Sequence, residues 1–127
     1  MQEIIADIEH TLLHWDKVRA TAGDFGARAF LIRKKEFGHI HPNGDLDIMF
    51  GPSITTELLR TGLVQRHEYV PASGVTYRIR RKEHIPFALA LLGFSYRLTA
   101  SKAAGLPLDL PSLVNGELAT LQTVHRA

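Results

Sequence analysis

The segment from Glu36 to Phe50 constrains the fold most, because it combines strong turn residues with alternating polar and apolar side chains. Pro42, Asn43 and Gly44 suit successive positions of a turn, since proline fixes its own φ and glycine accepts a positive φ. They predict a β-hairpin closed by a three-residue loop, a type I turn followed by a glycine bulge. A two-residue turn at Asn43-Gly44 is the alternative, and it would shift the strand pairing by one residue.

The three-residue loop separates the polar from the apolar side chains of this hairpin. It pairs His41 with Asp45, Ile40 with Leu46, His39 with Asp47, and Gly38 with Ile48. One face then carries Phe37, His39, His41, Asp45, Asp47 and Met49. The other carries Gly38, Ile40, Leu46, Ile48 and Phe50, with Glu36 at its frayed end. The two-residue turn would instead place both histidines opposite isoleucine and leucine, so we favour the longer loop.

The His/Asp face of the hairpin has three interpretations. Histidine–aspartate pairs on a solvated sheet face stabilise a hairpin by about 0.2–1 kcal/mol each and need no further role. The same groups could bind a small anionic ligand, with Arg78 and Arg80 from a neighbouring strand. They could also bind a divalent metal through His39 and His41, but a further ligand, such as His67 or Glu68, would then be required.

The sequence as a whole predicts one domain over residues 1–127. Its core is expected to span about 1–102, and residues 103–127 are expected to form a tail. The 127 residues include 45% hydrophobic ones, which is enough for a core, and no cysteine, which excludes disulfides and thiolate chemistry. The net charge of +2 is too small to indicate nucleic-acid binding by itself. No run of apolar residues predicts a membrane span and the first residues do not form a secretory signal, so we expect a cytoplasmic protein.

Hydrophobic periodicity and turn residues predict an α+β fold. The predicted elements are helices over 2–18, 53–60 and 83–102, a strand over 28–34, a second hairpin with strands 63–70 and 75–80, and a short helix within 112–125. Residues 21–26 are expected to form a loop, and Pro107 and Pro111 to keep the chain extended. The two hairpins and the single strand would form an antiparallel sheet covered by the N-terminal helix and the long C-terminal helix.

Two short basic runs suggest an alternative role in nucleic-acid binding. They are Arg33, Lys34 and Lys35, and Arg78, Arg80, Arg81 and Lys82. Such runs more often keep a sheet edge or a sheet face soluble, but they could also contact phosphates.

The motif of the first hairpin resembles a known family. Glu36-Phe-Gly-His39-Ile-His41-Pro42-Asn-Gly44 is similar to the E-x-x-H-x-H-P-x-G signature of small proteins called "luciferase domain". The resemblance extends over roughly residues 28 to 102, and the second half also resembles the YjbR-like fold, a small α+β domain. The family name implies light emission, but nothing in the chain resembles a flavin or coelenterazine site.

The sequence thus leaves three functional hypotheses open. The first is a non-catalytic binding module that uses His39, His41, Asp45, Asp47, Arg78 and Arg80 to bind a small anionic ligand or a protein partner. The second is a nucleic-acid-binding module that uses the basic runs. The third is an enzyme whose divalent metal is bound by His39 and His41, with His67 as a further candidate ligand. No motif predicts a nucleotide, flavin or haem site.

Overall fold

The computed structural model describes residues 1–105 and 110–126 of the chain. The described part contains four α-helices and a six-stranded antiparallel sheet, which confirms the predicted α+β fold. The helices are α1 (Gln2–Leu12), α2 (Pro52–Arg60), α3 (Ile85–Ala103) and α4 (Leu110–Arg126). The strands are β1 (Val18–Ala22), β2 (Arg28–Ile32), β3 (Lys35–Ile40), β4 (Asp45–Met49), β5 (Gln65–Arg66) and β6 (Gly74–Arg78), and the order in the sheet is β1-β2-β3-β4-β6-β5.

The helices cover one face of the sheet, where the apolar side chains of the strands form the core. Ile40 and Leu46 are fully buried there, together with Ile8 of α1 and Leu92 of α3. Gly38 lets α3 approach closely, because a Cβ atom at this position would lie only 2.7 Å from Leu92 Cδ2. We call this the covered face, and the opposite side of the sheet the open face.

The first hairpin has the predicted register. His39 pairs with Asp47 and Ile40 pairs with Leu46, and the amide of His41 donates to the carbonyl of Asp45 at 2.9 Å. Gly44 has a φ of 97°, and a Cβ atom there would lie 2.0 Å from the carbonyl oxygen of Ile79. Glycine is therefore required at this position both for the turn and for the close approach of the chain that follows β6.

A β-bulge between β2 and β3 exchanges the faces of two residues at the start of the hairpin. The pairing passes from Phe30–Gly38 directly to Leu31–Glu36, so Phe37 is the extra residue. Phe37 is buried against Trp15 and Tyr96 rather than lying on the His/Asp face, and the prediction for it was wrong. Glu36 was also placed on the wrong side, since its carboxylate contacts His39.

The N-terminal region differs most from the prediction. The helix ends at Leu12 instead of continuing to residue 18, and Val18–Ala22 forms the edge strand β1, which was not predicted. Lys17, just before the strand, has a positive φ of 63°, which a helix cannot contain. β1 has only a weak alternation of burial, and its structure depends on pairing with β2, which no local sequence pattern reveals.

The other elements shift by a few residues or become shorter. β5 comprises only Gln65–Arg66 of the predicted 63–70, and β6 spans Gly74–Arg78. α2 starts at Pro52, one residue before its predicted start. Pro111 lies in the first turn of α4 rather than in an extended segment, a position that tolerates proline.

The predicted C-terminal helix forms and packs on the domain. α4 contributes Val114 and Leu121 to the core, and Glu117 on the same helix forms an ion pair with Arg97 of α3. The expectation for Pro107 lies outside the described residues. These contacts connect the tail to the long helix that covers the sheet.

Candidate functional site

Asp47 is the centre of a polar cluster on the open face, at the middle of the sheet. Its Oδ2 atom lies 2.8 Å from His41 Nε2, 3.4 Å from His39 Nε2 and 3.4 Å from His67 Nε2. Its Oδ1 atom accepts a hydrogen bond of 2.6 Å from Thr76 Oγ1. Asp47 is buried and only 7% exposed, although it lies on the open face. The strands place these groups together, since His39 and Thr76 are the residues paired with Asp47 on its two neighbouring strands.

His39 is held from both ends by carboxylates. Its Nδ1 lies 2.8 Å from Glu36 Oε2, while its Nε2 points toward Asp47. The bulge at Phe37 makes this possible, because it turns Glu36 onto the same face as the histidine. His39 and His41 lie beside each other, with ring centroids 4.9 Å apart and planes nearly perpendicular.

His67 approaches the cluster from the segment that follows β5. Its Nδ1 accepts hydrogen bonds of 3.1 Å from the backbone amides of Tyr69 and Val70. In this arrangement Nδ1 carries the lone pair, so the ring proton lies on Nε2 and faces Asp47. His67 therefore donates toward the carboxylate and orders the following loop.

The close contacts shift the pKa values of the two central groups in opposite directions. Contacts with Asp47 and with Glu36 raise the pKa of His39 from 6.5 to about 9, although burial opposes this. Burial alone would raise the pKa of Asp47, but the hydrogen bonds from His39, Thr76 and His41 lower it to about 2. The unligated cluster at neutral pH thus contains an imidazolium ion between two carboxylates.

Three of these residues are close enough to share one ion. One ligand atom from each of His39, His41 and Asp47 lies within 4.8 Å of the others. For bonds of about 2.0–2.1 Å around a tetrahedral zinc ion, neighbouring ligand atoms lie roughly 3.3 Å apart. The separation of 3.4 Å between His39 Nε2 and Asp47 Oδ2 fits this value, and His41 Nε2 would have to move away from Asp47 by about half an ångström.

The remaining predicted ligand-binding residues lie at the edge of this cluster. Asp45 forms an ion pair with Arg80 at 2.7 Å, and its backbone amide donates to Asn43 Oδ1. Arg80 also donates to the carbonyl of Asn43, so this pair fastens the turn to the chain after β6. Arg78, paired with Asp45 across the strands, is exposed and lines a small cleft together with Asp47, His67 and Thr76.

The two basic runs do not form one surface. Arg33 and Lys34 lie in the turn between β2 and β3, whereas Arg81 and Lys82 follow β6 near the other hairpin turn. The two basic groups lie near opposite ends of β3. This strand has six residues at about 3.3 Å each, so the groups are roughly 20 Å apart. Nucleic-acid binding therefore stays a prediction without a continuous basic patch to support it.

Sequence reasoning missed two members of the cluster. Thr76 could have been found, because it alternates with the apolar residues Val75 and Tyr77 on a predicted strand. Glu36 was visible in the E-x-x-H motif, but only a bulge places it beside His39, and a bulge leaves no clear mark in the sequence.

Comparison with known proteins supports the resemblance seen in the hairpin motif. Searches against curated proteins and against solved structures gave no match, and the YjbR-like resemblance thus stays a prediction. Among the described residues, no helix is both long and apolar enough to cross a membrane. The family model described as Luciferase domain matches residues 34–95, the segment that contains the hairpin, His67 and most of α3.

Proposed function

We propose that this domain binds a divalent metal ion on the open face of its sheet, with His39, His41 and Asp47 as ligands. The observation that carries the proposal is the convergence of two imidazole Nε2 atoms on a single carboxylate oxygen. Two imidazoles and one carboxylate form a ligand set that proteins use for zinc and for non-haem iron. Among these ions zinc is the best first candidate, since it accepts distorted tetrahedral sites and needs no particular redox state.

The groups around the three ligands support the same proposal. In metal sites the second nitrogen of a ligating histidine usually donates to a carboxylate, which orients the ring. Glu36 occupies this position on His39 Nδ1, at 2.8 Å. Asp47 is oriented in the same way, by the hydrogen bond from Thr76 to its other oxygen atom.

The charge of the cluster also favours a cation over an anion. Asp47 and Glu36 are acidic, and Asp45 beside them is already neutralised by Arg80. Metal binding would displace the proton that His39 holds in the unligated cluster. The carboxylates of Asp47 and Glu36 would then balance the charge of a divalent ion. An anion in direct contact with Asp47 would be repelled, so the binding-module hypothesis is more plausible when a metal lies between the carboxylate and the ligand.

Three protein ligands would leave coordination positions for water or for a bound molecule. Catalytic zinc sites have this composition, whereas structural sites are usually closed by four protein ligands. A metal here would supply a Lewis acid and a water molecule of lowered pKa. The domain is thus proposed as a metal-dependent binding or hydrolytic module.

Calorimetric titration with zinc tests the proposal. We expect the wild-type protein, first treated with chelator, to bind one zinc ion per chain. The variant His39→Ala/His41→Ala should lose affinity by about 100-fold or more, since it retains only one of the three ligands. His14→Ala is the matched control, because His14 is exposed and its ring contacts His10 of helix α1.

The result that would overturn the proposal is equally specific. Absence of zinc binding by the wild type, or equal binding by the double variant, would exclude His39 and His41 as ligands. Near-ultraviolet circular dichroism of the variant distinguishes loss of ligands from loss of the fold. The rings of Trp15 and Tyr96 contact each other in the native fold, so a native spectrum indicates that the fold is intact.

A further inference from the structure

Arg78 is an unpaired cation beside the proposed metal ligands. It is exposed, and in the part of the chain that the structure describes its guanidinium group has neither a hydrogen bond nor an ion pair. By contrast Arg28, Arg60, Arg80 and Arg97 each contact a carboxylate. Arg78 lies two residues beyond Thr76 on β6, so its side chain leaves the strand on the open face.

The residue paired with Arg78 does not neutralise it. Asp45 lies opposite Arg78 in the register of β4 and β6, but its carboxylate binds Arg80 at 2.7 Å. Asn43 Nδ2 also donates to this carboxylate at 3.4 Å. The guanidinium group of Arg78 is thus left available for a ligand, in a position adjacent to Asp47.

Arg78 and Asp47 line a small, mostly polar cleft. The cleft has a volume of about 90 Å³ and includes His67 and Tyr69 in its lining. The ring of Tyr69 is 82% exposed and lies 6.3 Å from the imidazole of His67. Such a cleft admits the polar end of a small molecule, and the ring of Tyr69 offers a surface on which the apolar part of that molecule can pack.

We infer that the site binds a small organic carboxylate, with one carboxylate oxygen on the metal and the other on the guanidinium of Arg78. This inference rests on the proposed metal site. Guanidinium groups match the two-oxygen geometry of a carboxylate. The carboxylates of Asp47 and Glu36 together balance a divalent ion, and Arg66 and Glu68, which also line the cleft, carry opposite charges. Arg78 thus leaves one positive charge, which fits a singly charged carboxylate better than a doubly charged phosphate.

Cobalt-loaded protein provides the test, because the visible spectrum of cobalt(II) reports on its ligands. We expect benzoate to change the cobalt spectrum in a saturable manner, and inorganic phosphate to bind more weakly. Arg78→Ala should weaken benzoate binding by about tenfold or more while it leaves the affinity for cobalt within about twofold of the wild type. Arg60→Ala, which removes an exposed arginine from helix α2, is the matched control and should behave as the wild type.

The possible outcomes distinguish failure of this inference from failure of the metal proposal. Wild-type protein that does not bind cobalt removes both. Cobalt binding with a spectrum that benzoate does not alter overturns the carboxylate site but leaves the metal site intact. Equal benzoate affinity in Arg78→Ala overturns the role of Arg78, and tighter binding of phosphate overturns the ligand class.

Discussion

The two faces of the β3–β4 hairpin are built from alternating residues of the same strands, yet they are held together by different forces. On the covered face, Ile40, Leu46 and Ile48 are essentially inaccessible and pack with α3. On the open face, His39, His41 and Asp47 contact one another through charged and polar atoms. The covered face stabilises the domain through the burial of apolar side chains. The open face instead holds charged and polar side chains close together at the centre of the sheet, where their burial is unfavourable without partners.

The two faces therefore differ in what they contribute to stability. Burying Asp47 on an otherwise polar surface would be unfavourable without its partners, since a buried carboxylate needs compensating hydrogen bonds. A hydrophobic residue at that position would cost less. The four polar partners around this one carboxylate fit the proposed metal site, since perturbed pKa values are common at functional sites in proteins.

The largest effect is expected from Leu46→Ala on the covered face. Leu46 is fully buried, and its truncation removes apolar contacts and leaves a cavity, which should lower the free energy of unfolding by about 3 kcal/mol. Zinc affinity of the folded protein should be unchanged, because the side chain points away from the metal ligands. Urea denaturation in the presence of chelator and calorimetry with zinc measure the two quantities. Reduced zinc affinity in the folded variant would show that the two faces are coupled.

A smaller effect on stability is expected from Asp47→Asn. Asp47 follows Leu46 on β4 and therefore lies on the opposite, open face. The amide keeps the shape of the side chain but loses the charge that His39 contacts, so the metal-free protein should lose about 1–2 kcal/mol near pH 6. Zinc binding should be lost almost completely, since an amide oxygen is a much poorer zinc ligand than a carboxylate. A variant that still binds zinc with wild-type affinity would exclude Asp47 as a ligand.

The same contrast explains how far the sequence could predict the molecule. The hairpin register was predictable because Pro42, Asn43 and Gly44 define the turn and because period-two alternation assigns each residue to a face. The convergence of His39, His41 and Asp47 followed from that register. β1 was not predictable, as its pairing with β2 is a tertiary interaction, and the role of Glu36 depends on a bulge that local patterns do not specify.

The identity of the third strand in the site could be predicted only in part. Val75, Tyr77 and Ile79 alternate with polar residues, which indicates a strand with one apolar face. However, the sequence does not reveal that β6 lies directly beside β4, which is what brings Thr76 to Asp47. The position of His67 likewise depends on a loop whose amides bind its ring.

The effect most specific to the open face is the response of stability to pH. The pKa of His39 is about 9 in the folded protein and 6.5 in the unfolded reference. The folded state therefore binds the proton more tightly, so this stabilisation is complete below pH 6.5 and is lost as the pH rises toward 9. The pKa of Asp47 is lowered from 3.8 to about 2, so its contribution is present above pH 3.8 and is lost only in acid.

The alkaline range thus isolates the histidine from the aspartate. A shift of this size corresponds to at most roughly 3 kcal/mol, and screening at Glu36, whose side chain is 42% exposed, lowers the expected loss to about 1–2 kcal/mol. Urea denaturation of the metal-free protein between pH 6 and 9.5 measures the loss, and His39→Gln should remove most of it while Leu46→Ala should retain it. An equal decline in His39→Gln would mean that the pH dependence arises elsewhere, and that His39 does not hold its proton between the two carboxylates.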